Sequence, residues 1–228
     1  MSNAALLPEP GWPRRIARRV GTLWPIKMVS NIAGIAGFFV FYFWILNLPH
    51  ADATVMPLTA LDRWLPFQPA ALVIYVSLWV YISLPLALLR TPRDLARYGI
   101  GAFALSALAL TAFALWPTVV PTFDVDWSQH PGFAFLRTLD ARSNACPSLH
   151  VAFAVFSAFW LDRLLRETSA GNALRIVNVL WCAGILYSTV AIRQHVVVDV
   201  IAGAALGGAV VALQMRMLNR RDRLPEEA

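Results

Sequence analysis

The chain alternates between long apolar stretches and short polar segments. Six stretches approach the roughly 17–25 residues that a membrane-spanning helix needs. They cover residues 29–48, 69–89, 98–116, 148–165, 174–192 and 196–216. Hydrophobic residues make up 58% of the chain and charged residues 14%, which is more apolar surface than one soluble core requires. We therefore predict an all-α integral membrane protein, a bundle of six transmembrane helices with both termini on one side.

The basic residues indicate which side that is. Fifteen of the nineteen Lys and Arg residues lie in the N-terminal segment, the 90–97 loop, the 162–175 loop and the C-terminal tail. By the positive-inside rule these segments, and both termini, are cytoplasmic. The opposite side holds all four histidines and the other four arginines, Arg63, Arg137, Arg142 and Arg193. The net charge of +6 then reflects topology and attraction to anionic lipid, and no basic stripe interleaved with aromatics points to nucleic acid.

The same pattern divides the chain into three parts. These are a basic cytoplasmic segment (1–28), a six-helix membrane domain (29–216) and a cytoplasmic tail (217–228). The first apolar stretch, with Ala51-Asp52-Ala53 behind it, has features of a cleaved secretory signal. It is longer than the 7–15-residue core of a signal peptide, so we expect a retained signal anchor. The two cysteines, Cys146 and Cys182, form neither a disulfide framework nor a metal-binding spacing.

Two segments on the histidine side are candidates for functional loops. The first, 49–68, has the composition of an interfacial loop or a short surface helix. The second, 117–147, is the longest segment outside the apolar stretches and leads into His150. Loops of this length are often functional, so it is either a lid or lipid-entry surface, or an interfacial loop without chemistry of its own.

The sixth apolar stretch contains a run of small residues, Gly203-Ala204-Ala205-Leu206-Gly207-Gly208. Small residues four positions apart allow two helices to approach closely. We expect this surface to pack inside the bundle, and a dimer face is the alternative.

The first motif that carries chemistry is Cys146-Pro147-Ser148-Leu149-His150, at the start of the fourth stretch. Ser148 is a favoured N-cap residue, so free backbone N–H groups and the positive end of the helix dipole form an anion site there. The Ser148 hydroxyl can donate to a phosphoryl oxygen, and His150 is placed to protonate a leaving oxygen. The motif predicts a phosphate-binding helix end with a general acid.

The second motif is His195-Val196-Val197-Val198-Asp199, at the start of the sixth stretch. The i,i+4 spacing puts His195 and Asp199 on one helix face, where the carboxylate can orient the imidazole. His195 can then attack phosphorus to form a phosphohistidine, while Arg193, Arg142 and Arg137 neutralise the phosphoryl oxygens. Alternatively, Asp199 is a helix-packing partner, Arg193 anchors a helix end at the headgroups, and the loop arginines are solvated charges.

The same residues admit a metal-dependent alternative. His150, His195 and Asp199 with one water would make a workable catalytic zinc set. The arginines and the helix N-terminus suit direct phosphate binding, so we predict neither a metal nor a cofactor.

Pro147-Ser148-Leu149-His150 and His195-x-x-x-Asp199 resemble the second and third motifs of the type 2 phosphatidic acid phosphatase (PAP2) superfamily. The longer run Asp140-x-x-x-Asn144-x-x-Pro147-Ser148-Leu149-His150-Val151, with Leu149 where lipid phosphatases usually have Gly, is similar to the branch of inositol phosphorylceramide synthases and many bacterial relatives. The resemblance covers about residues 57–210 and implies a six-span fold. By position it implies the following roles: nucleophile His195, its partner Asp199, general acid His150, and phosphate contacts Ser148 and Asn144.

The sequence also departs from the family pattern. The third motif usually has an Arg six residues before its His, where this chain has Thr189; Arg193 is the nearest replacement. The first motif, a Lys followed seven residues later by Arg-Pro, is missing from the outer loop. An Arg90-x6-Arg97 spacing exists, but the predicted topology places it in the cytoplasm.

Together these features predict a membrane enzyme that acts on a lipid phosphate or diphosphate by double displacement. We place its active site on the extracytoplasmic face of a bacterial inner (plasma) membrane. Water as acceptor would make it a phosphatase, and a lipid hydroxyl a phosphotransferase. Two rivals are a non-catalytic lipid-binding relative and a small transporter, although ionisable groups at one end of the spans, not the midplane, disfavour transport. Membrane lipids are the expected partners, and a homo-oligomer stays open.

Overall fold

The computed structural model describes residues 11–48, 53–133, 136 and 144–221 of the 228-residue chain. This part is mostly helical with almost no strand, as the hydrophobic pattern predicts. Its α-helices are α1 (Trp12–Gly21), α2 (Trp24–Leu46), α3 (Ala60–Trp64), α4 (Leu72–Val76), α5 (Leu78–Leu88), α6 (Pro92–Leu115), α7 (Leu149–Glu167), α8 (Asn172–Ala191) and α9 (Val197–Arg221). Two short strands, β1 (Thr54–Val55) and β2 (Thr118–Val119), and three 3-10 turns complete it, Pro69–Ala71, Trp127–Gln129 and Pro131–Phe133.

Five helical segments in the described residues are long and apolar enough to cross a membrane. They are Trp24–Leu46, Pro69–Leu88, Pro92–Leu115, Asn172–Ala191 and Val197–Met217. The predicted fourth span is present as α7, but it carries four charged residues in its last six positions, Asp162, Arg163, Arg166 and Glu167. It packs against α5, α6, α8 and α9. Its apolar side chains are therefore buried in the bundle centre, and composition alone does not mark it as a span.

The first span begins at Trp24, earlier than the predicted Val29. The hydrophobic pattern places a boundary at the charged Lys27, but the structure accommodates this residue within the helix. The Lys27 ammonium is buried and donates hydrogen bonds to the carbonyl oxygens of Arg19 (2.6 Å) and Ala87 (2.7 Å). The preceding residues form α1, which is joined to the end of α7 by a 3.1 Å ion pair between Arg19 and Glu167.

The second span is interrupted near its middle. Its 3-10 turn Pro69–Ala71 and the short helix α4 are separated from α5 at Ser77, whose hydroxyl donates to the Ile74 carbonyl at 2.6 Å and accepts from the Trp181 indole at 2.8 Å. The short helix α4 lies on the side of this break nearer the histidines, where Tyr75 contacts His150.

The small-residue run of α9 packs against α7, as predicted for a contact inside the bundle. A methyl group added at Gly203 would collide with the carbonyl oxygen of Ser148, and one at Gly207 with that of Ala152. Gly208, by contrast, faces open space. The two glycines therefore allow the backbone of α9 to lie directly against the first turn of α7.

The first segment on the histidine side is tied to the second by backbone hydrogen bonds. Strands β1 and β2 pair in parallel, with Thr54 opposite Thr118. Within β2, the Thr118 carbonyl accepts from Ala145 N–H (3.2 Å) and its hydroxyl accepts from Cys146 N–H (2.8 Å). The segment that leads into α7 is therefore held by β2, which is itself paired with β1.

Candidate functional site

The two histidine motifs meet where α7 and α9 begin. Ser148 caps α7 as predicted, since its hydroxyl accepts a hydrogen bond from Val151 N–H. Its own N–H donates to the carbonyl oxygen of Asp199 at 3.1 Å. This bond, together with the glycine contact of α9, sets the spacing between the two motifs.

His195 and Asp199 are paired across one turn at the start of α9. The distance from His195 Nδ1 to the Asp199 carboxylate is 3.5 Å, and both side chains are buried, with residue exposures of 5% and 0%. The separation is too long for a well-formed hydrogen bond, as is common for catalytic pairs without substrate. The same carboxylate oxygen accepts from Val196 N–H at 3.0 Å, which holds Asp199 towards the helix N-terminus.

His150 faces His195. The centroids of the two imidazole rings are 6.0 Å apart, with 57° between the ring planes. On its other side His150 stacks on Tyr75, with centroids 4.4 Å apart, and its Nδ1 lies 3.3 Å from the Tyr75 hydroxyl. His150 is only half-buried, so the site can be reached past this ring.

The turn that carries His195 is fixed by two groups, the Thr189 carbonyl and the Asp62 carboxylate. The Thr189 carbonyl accepts from the N–H groups of Gln194 (3.0 Å) and His195 (3.1 Å). The buried carboxylate of Asp62 accepts from Val197 N–H at 2.9 Å and from Thr59 N–H at 2.8 Å. Asp62 therefore serves as an N-terminal cap for α9, although it lies more than a hundred residues away in sequence.

Arg193 lies in the same turn and uses part of its guanidinium for structure. One terminal nitrogen donates to the Asp62 carbonyl (2.9 Å) and the other to that of Leu65 (2.6 Å), while the guanidinium packs 4.5 Å from the Phe123 ring. Burial lowers the pKa of Arg193 and the Asp62 charge opposes that shift, so the group stays cationic at neutral pH. Each terminal nitrogen carries a second hydrogen, so the side chain keeps donors for an anion.

Several buried polar atoms around the site have no hydrogen-bond partner in the described part of the chain. They are Asn144 Nδ2, Arg193 Nε, His195 Nδ1 and Asp199 Oδ1. Buried polar groups are nearly always satisfied. His195 Nδ1 and the Asp199 carboxylate face each other, so the atoms that suit an anionic ligand are Asn144 Nδ2 and Arg193 Nε. The predicted phosphate contacts Arg137 and Arg142 lie outside the described residues.

An aromatic cluster of the outer loops adjoins Tyr75. Phe67 contacts Trp127, His130 and Phe133, at ring-centroid distances of 5.4, 5.1 and 5.5 Å. Phe133 and Tyr75 belong to one buried cluster with Ala191 and Ile192. The described part of the long outer loop thus packs over the end of α4 beside the histidines.

A comparison with protein families identifies the chain. The model of the PAP2 superfamily matches residues 95–223, more than half of the sequence, and this region contains both histidine motifs. The chain belongs to the PAP2 superfamily. Members are typically phosphoesterases or phosphotransferases. No curated protein and no solved structure matches the chain.

The arrangement in this PAP2 protein offers no metal cluster among the residues that the structure describes. No group of three or more His, Cys, Asp or Glu side chains there is placed to hold a metal ion.

Two residues of the site were not among those selected from the sequence, Tyr75 and Asp62. Tyr75 is a lone hydroxyl in the outer part of an apolar stretch, and a buried Tyr usually has a partner for its O–H. Asp62 forms a capping box with Thr59 at the start of α3, a local signal that does not indicate its second role on α9. Both lie before residue 95, outside the region that the family model matches.

Cys146, next to the Ser148 motif, is expected to be unreactive in the folded protein. Burial, aided by the Asp199 charge, raises the pKa of its thiol to about 11, and the thiolate is the reactive form. Maleimide labelling of Cys146, read by mass spectrometry, should be slow at pH 7.5 and still rise above pH 9. A Ser128→Cys variant provides the control because Ser128 is exposed. Equal labelling of both positions at pH 7.5 would contradict the buried, protonated thiol.

Proposed function

We propose that this PAP2 protein transfers a phosphoryl group from a lipid phosphate or diphosphate through a phosphohistidine at His195. The observation that supports this most directly is the 6.0 Å separation of the His195 and His150 rings, with Asp199 on the far side of His195. Reacting atoms in a near-attack arrangement are about 3–3.5 Å apart, and an acid lies about 3 Å from its leaving oxygen. At this separation, one phosphoryl group held beside the two rings can be reached by His195 from one side and by His150 from the other.

The proposed reaction has two displacements. In the first, the Nε2 lone pair of His195 forms a bond to phosphorus while the bond from phosphorus to the leaving oxygen breaks, and His150 protonates that oxygen. Asp199 stabilises the positive imidazole ring, which retains its Nδ1 hydrogen. In the second, an acceptor hydroxyl attacks phosphorus, His150 removes its proton, and the N–P bond breaks to restore His195.

The phosphoryl oxygens need donors on the remaining sides. We assign this role to the N-terminus of α7 with the Ser148 hydroxyl, to Asn144 Nδ2 and to the free N–H groups of Arg193. Asn144 and Arg193 each have an unpartnered buried nitrogen, and guanidinium matches phosphate geometry. Arg137 and Arg142 remain candidates from the long outer loop. Preorganised donors of this kind usually make the largest contribution to catalysis.

The proposed topology has six spans, with α7 as the fourth, and both termini in the cytoplasm. The ion pairs Arg19–Glu167 and Arg175–Asp162 and the bond from Gln214 to the Arg97 carbonyl gather the basic segments at the end of the bundle opposite the histidines. The positive-inside rule favours this end as cytoplasmic. The catalytic end then faces outward from a bacterial inner membrane, where lipid headgroups can enter.

The acceptor distinguishes two forms of this activity. Water gives a phosphatase that releases inorganic phosphate, and a lipid hydroxyl gives a phosphotransferase. In a transferase of the inositol phosphorylceramide synthase type, the donor is a phosphodiester lipid: the lipid alcohol leaves in the first displacement, and the phosphorylated headgroup passes from His195 to the acceptor hydroxyl in the second. Leu149 in the second motif favours the transferase. A non-catalytic lipid-binding role remains the alternative, because the first family motif is missing.

The test uses purified full-length protein in detergent with a panel of lipid phosphates and diphosphates, with and without a diacylglycerol or ceramide acceptor. Free phosphate and new phospholipid are both measured, and His195→Gln protein purified in parallel corrects for contaminating phosphatases. We expect at least one substrate to be consumed by the wild type alone. Free phosphate would identify a phosphatase and a new phospholipid a transferase. Tight binding of the lipids without consumption would overturn the enzymatic proposal.

A further inference from the structure

We propose that Tyr75 is a positioning residue that holds the His150 ring and keeps the hydrogen on its Nδ1, so that proton exchange is confined to Nε2. This inference rests on the proposed role of His150 as the general acid and base. It adds a residue outside both histidine motifs and outside the region that the family model matches, residues 95–223.

The contact between the two side chains has two components. The rings stack with centroids 4.4 Å apart and an angle of 27° between their planes, which prevents the imidazole from rotating. The Tyr75 hydroxyl lies 3.3 Å from His150 Nδ1, which selects one ring nitrogen. Tyr75 is 3% exposed, whereas His150 is half-buried, so the buried tyrosine backs the more accessible histidine.

The surroundings of Tyr75 keep it in place. The break at Ser77 separates α4 from the rest of the span, and the preceding turn is fixed by the bond from Gln68 N–H to the Ala191 carbonyl at 2.9 Å. Phe133 from the long outer loop and Ile192 from the end of α8 pack in the same buried cluster. The phenol ring is thus supported from three separate parts of the chain.

The chemistry of the proposed reaction requires such a partner. A histidine that gives a proton in the first displacement and takes one in the second must exchange it at the same nitrogen. If the Tyr75 oxygen accepts a hydrogen bond from Nδ1–H, that hydrogen stays in both protonation states, and only Nε2 gains and loses a proton. Tyr75 would then act on His150 as Asp199 acts on His195, with a neutral oxygen in place of a carboxylate.

The other titratable groups near His150 bear on the expected pH dependence. Within the described residues, His195 faces it from the turn before α9, and Asp199 lies behind His195. Removal of the Tyr75 hydroxyl leaves both of these groups in place. A change in the pH profile of Tyr75→Phe therefore reports the lost hydrogen bond to Nδ1–H, because the imidazolium form of His150 loses its acceptor.

The test compares Tyr75→Phe, which keeps the stacked ring, with Tyr187→Phe, a control on the exposed surface of α8. We expect kcat of Tyr75→Phe to fall about tenfold, as for the loss of one hydrogen bond to a charged group, with KM within about twofold. In the plot of kcat against pH, the loss of activity that follows deprotonation of His150 should occur about one pH unit lower than in the wild type. This part of the profile is the alkaline limb. Replacement of Tyr75 by 3,5-difluorotyrosine, whose phenol is much more acidic, should move the limb in the opposite direction where the phenolate forms, because a negatively charged oxygen is a stronger acceptor for Nδ1–H and stabilises the imidazolium.

A second measurement does not depend on turnover. Diethyl pyrocarbonate modifies only unprotonated imidazole, so the pH midpoint of His150 modification, read by mass spectrometry, should be lower in Tyr75→Phe than in wild type or Tyr187→Phe. If the wild-type protein has no activity, the proposed function is refuted. The pH midpoint of His150 modification then still tests whether Tyr75 positions His150. An unchanged midpoint in both Tyr75 variants, or a fall in kcat without any shift in the profile, would overturn the positioning role.

Discussion

Replacement of His195 by Gln is expected to reduce turnover at least about 1,000-fold, with little change in the binding of lipid phosphate. Gln keeps a polar side chain in the buried turn, where the backbone N–H of residue 195 still bonds to Thr189. It has no lone pair that can form a bond to phosphorus, so the covalent route is closed. Loss of a nucleophile usually removes most of an enzyme's rate enhancement. The measurement is kcat and KM on the best lipid substrate.

The His150→Gln variant tests the general acid, because the need to protonate the leaving oxygen depends on the leaving group. With a lipid alcohol, we expect about a 100- to 10,000-fold loss. With an aryl phosphate, whose phenolate leaves without protonation, the first displacement should be largely restored. The second displacement still lacks its base, so a phosphoenzyme should accumulate on His195. Rapid quench and mass spectrometry at alkaline pH, where phosphohistidine survives, would detect it.

The matched control for both variants is His130→Gln. His130 lies in the outer-loop aromatic cluster against Phe67 and has no part in the proposed chemistry, so its kcat should stay within a few fold of the wild type. A phosphorylated His150, or a His195→Gln protein with wild-type turnover, would refute the assignment of roles.

Substitution of Gly203 by Ala is the second change with a large expected effect. The added methyl group would collide with the Ser148 carbonyl oxygen, which belongs to backbone and cannot move aside as a flexible side chain would. The cost of such overpacking is about 1–3 kcal/mol. Separation of α9 from α7 would also stretch the bond from Ser148 N–H to the Asp199 carbonyl. We expect a melting temperature several degrees lower in detergent, and kcat reduced about tenfold or more.

Gly208→Ala is the control, because it makes the same chemical change five positions along the same helix, where no atom lies within 4 Å. Alanine favours helix over glycine, so this variant should match or exceed the wild-type melting temperature and keep its activity. Equal behaviour of the two variants in thermal unfolding and turnover would show that the close approach of α9 to α7 is not needed.

The hydrophobic pattern predicted the helices well because each apolar stretch is a local signal. The errors arise where distant contacts change the local preference. Lys27 marks a boundary by its charge, yet carbonyls from two other segments satisfy it and the helix begins earlier. The break in the second span lies at Ser77, whose hydroxyl bonds to Ile74 and to the distant Trp181, a contact that the sequence near Ser77 does not reveal.

The candidate site likewise combines features that follow from local spacing with features that depend on distant contacts. Ser148 as a helix cap and the proximity of His195 to Asp199 follow from spacing along one helix, and both are present. The roles of Asp62 and Tyr75 depend on how separate segments meet, so no local pattern indicates them. Thr189 illustrates a third case. It occupies the position where the family usually has an arginine, and here its carbonyl supports the turn of His195, while Arg193 from that turn supplies the nearby guanidinium.

The capping of α9 by Asp62 has a consequence for how this protein can be divided. The region that carries the family signature starts at residue 95, yet the carboxylate that bonds to Val197 N–H and the phenol beside His150 come from before it. An excised 95–223 fragment would keep every signature residue and lose two of the groups that hold them in register. The boundary drawn by sequence similarity is therefore narrower than the smallest unit able to assemble this site.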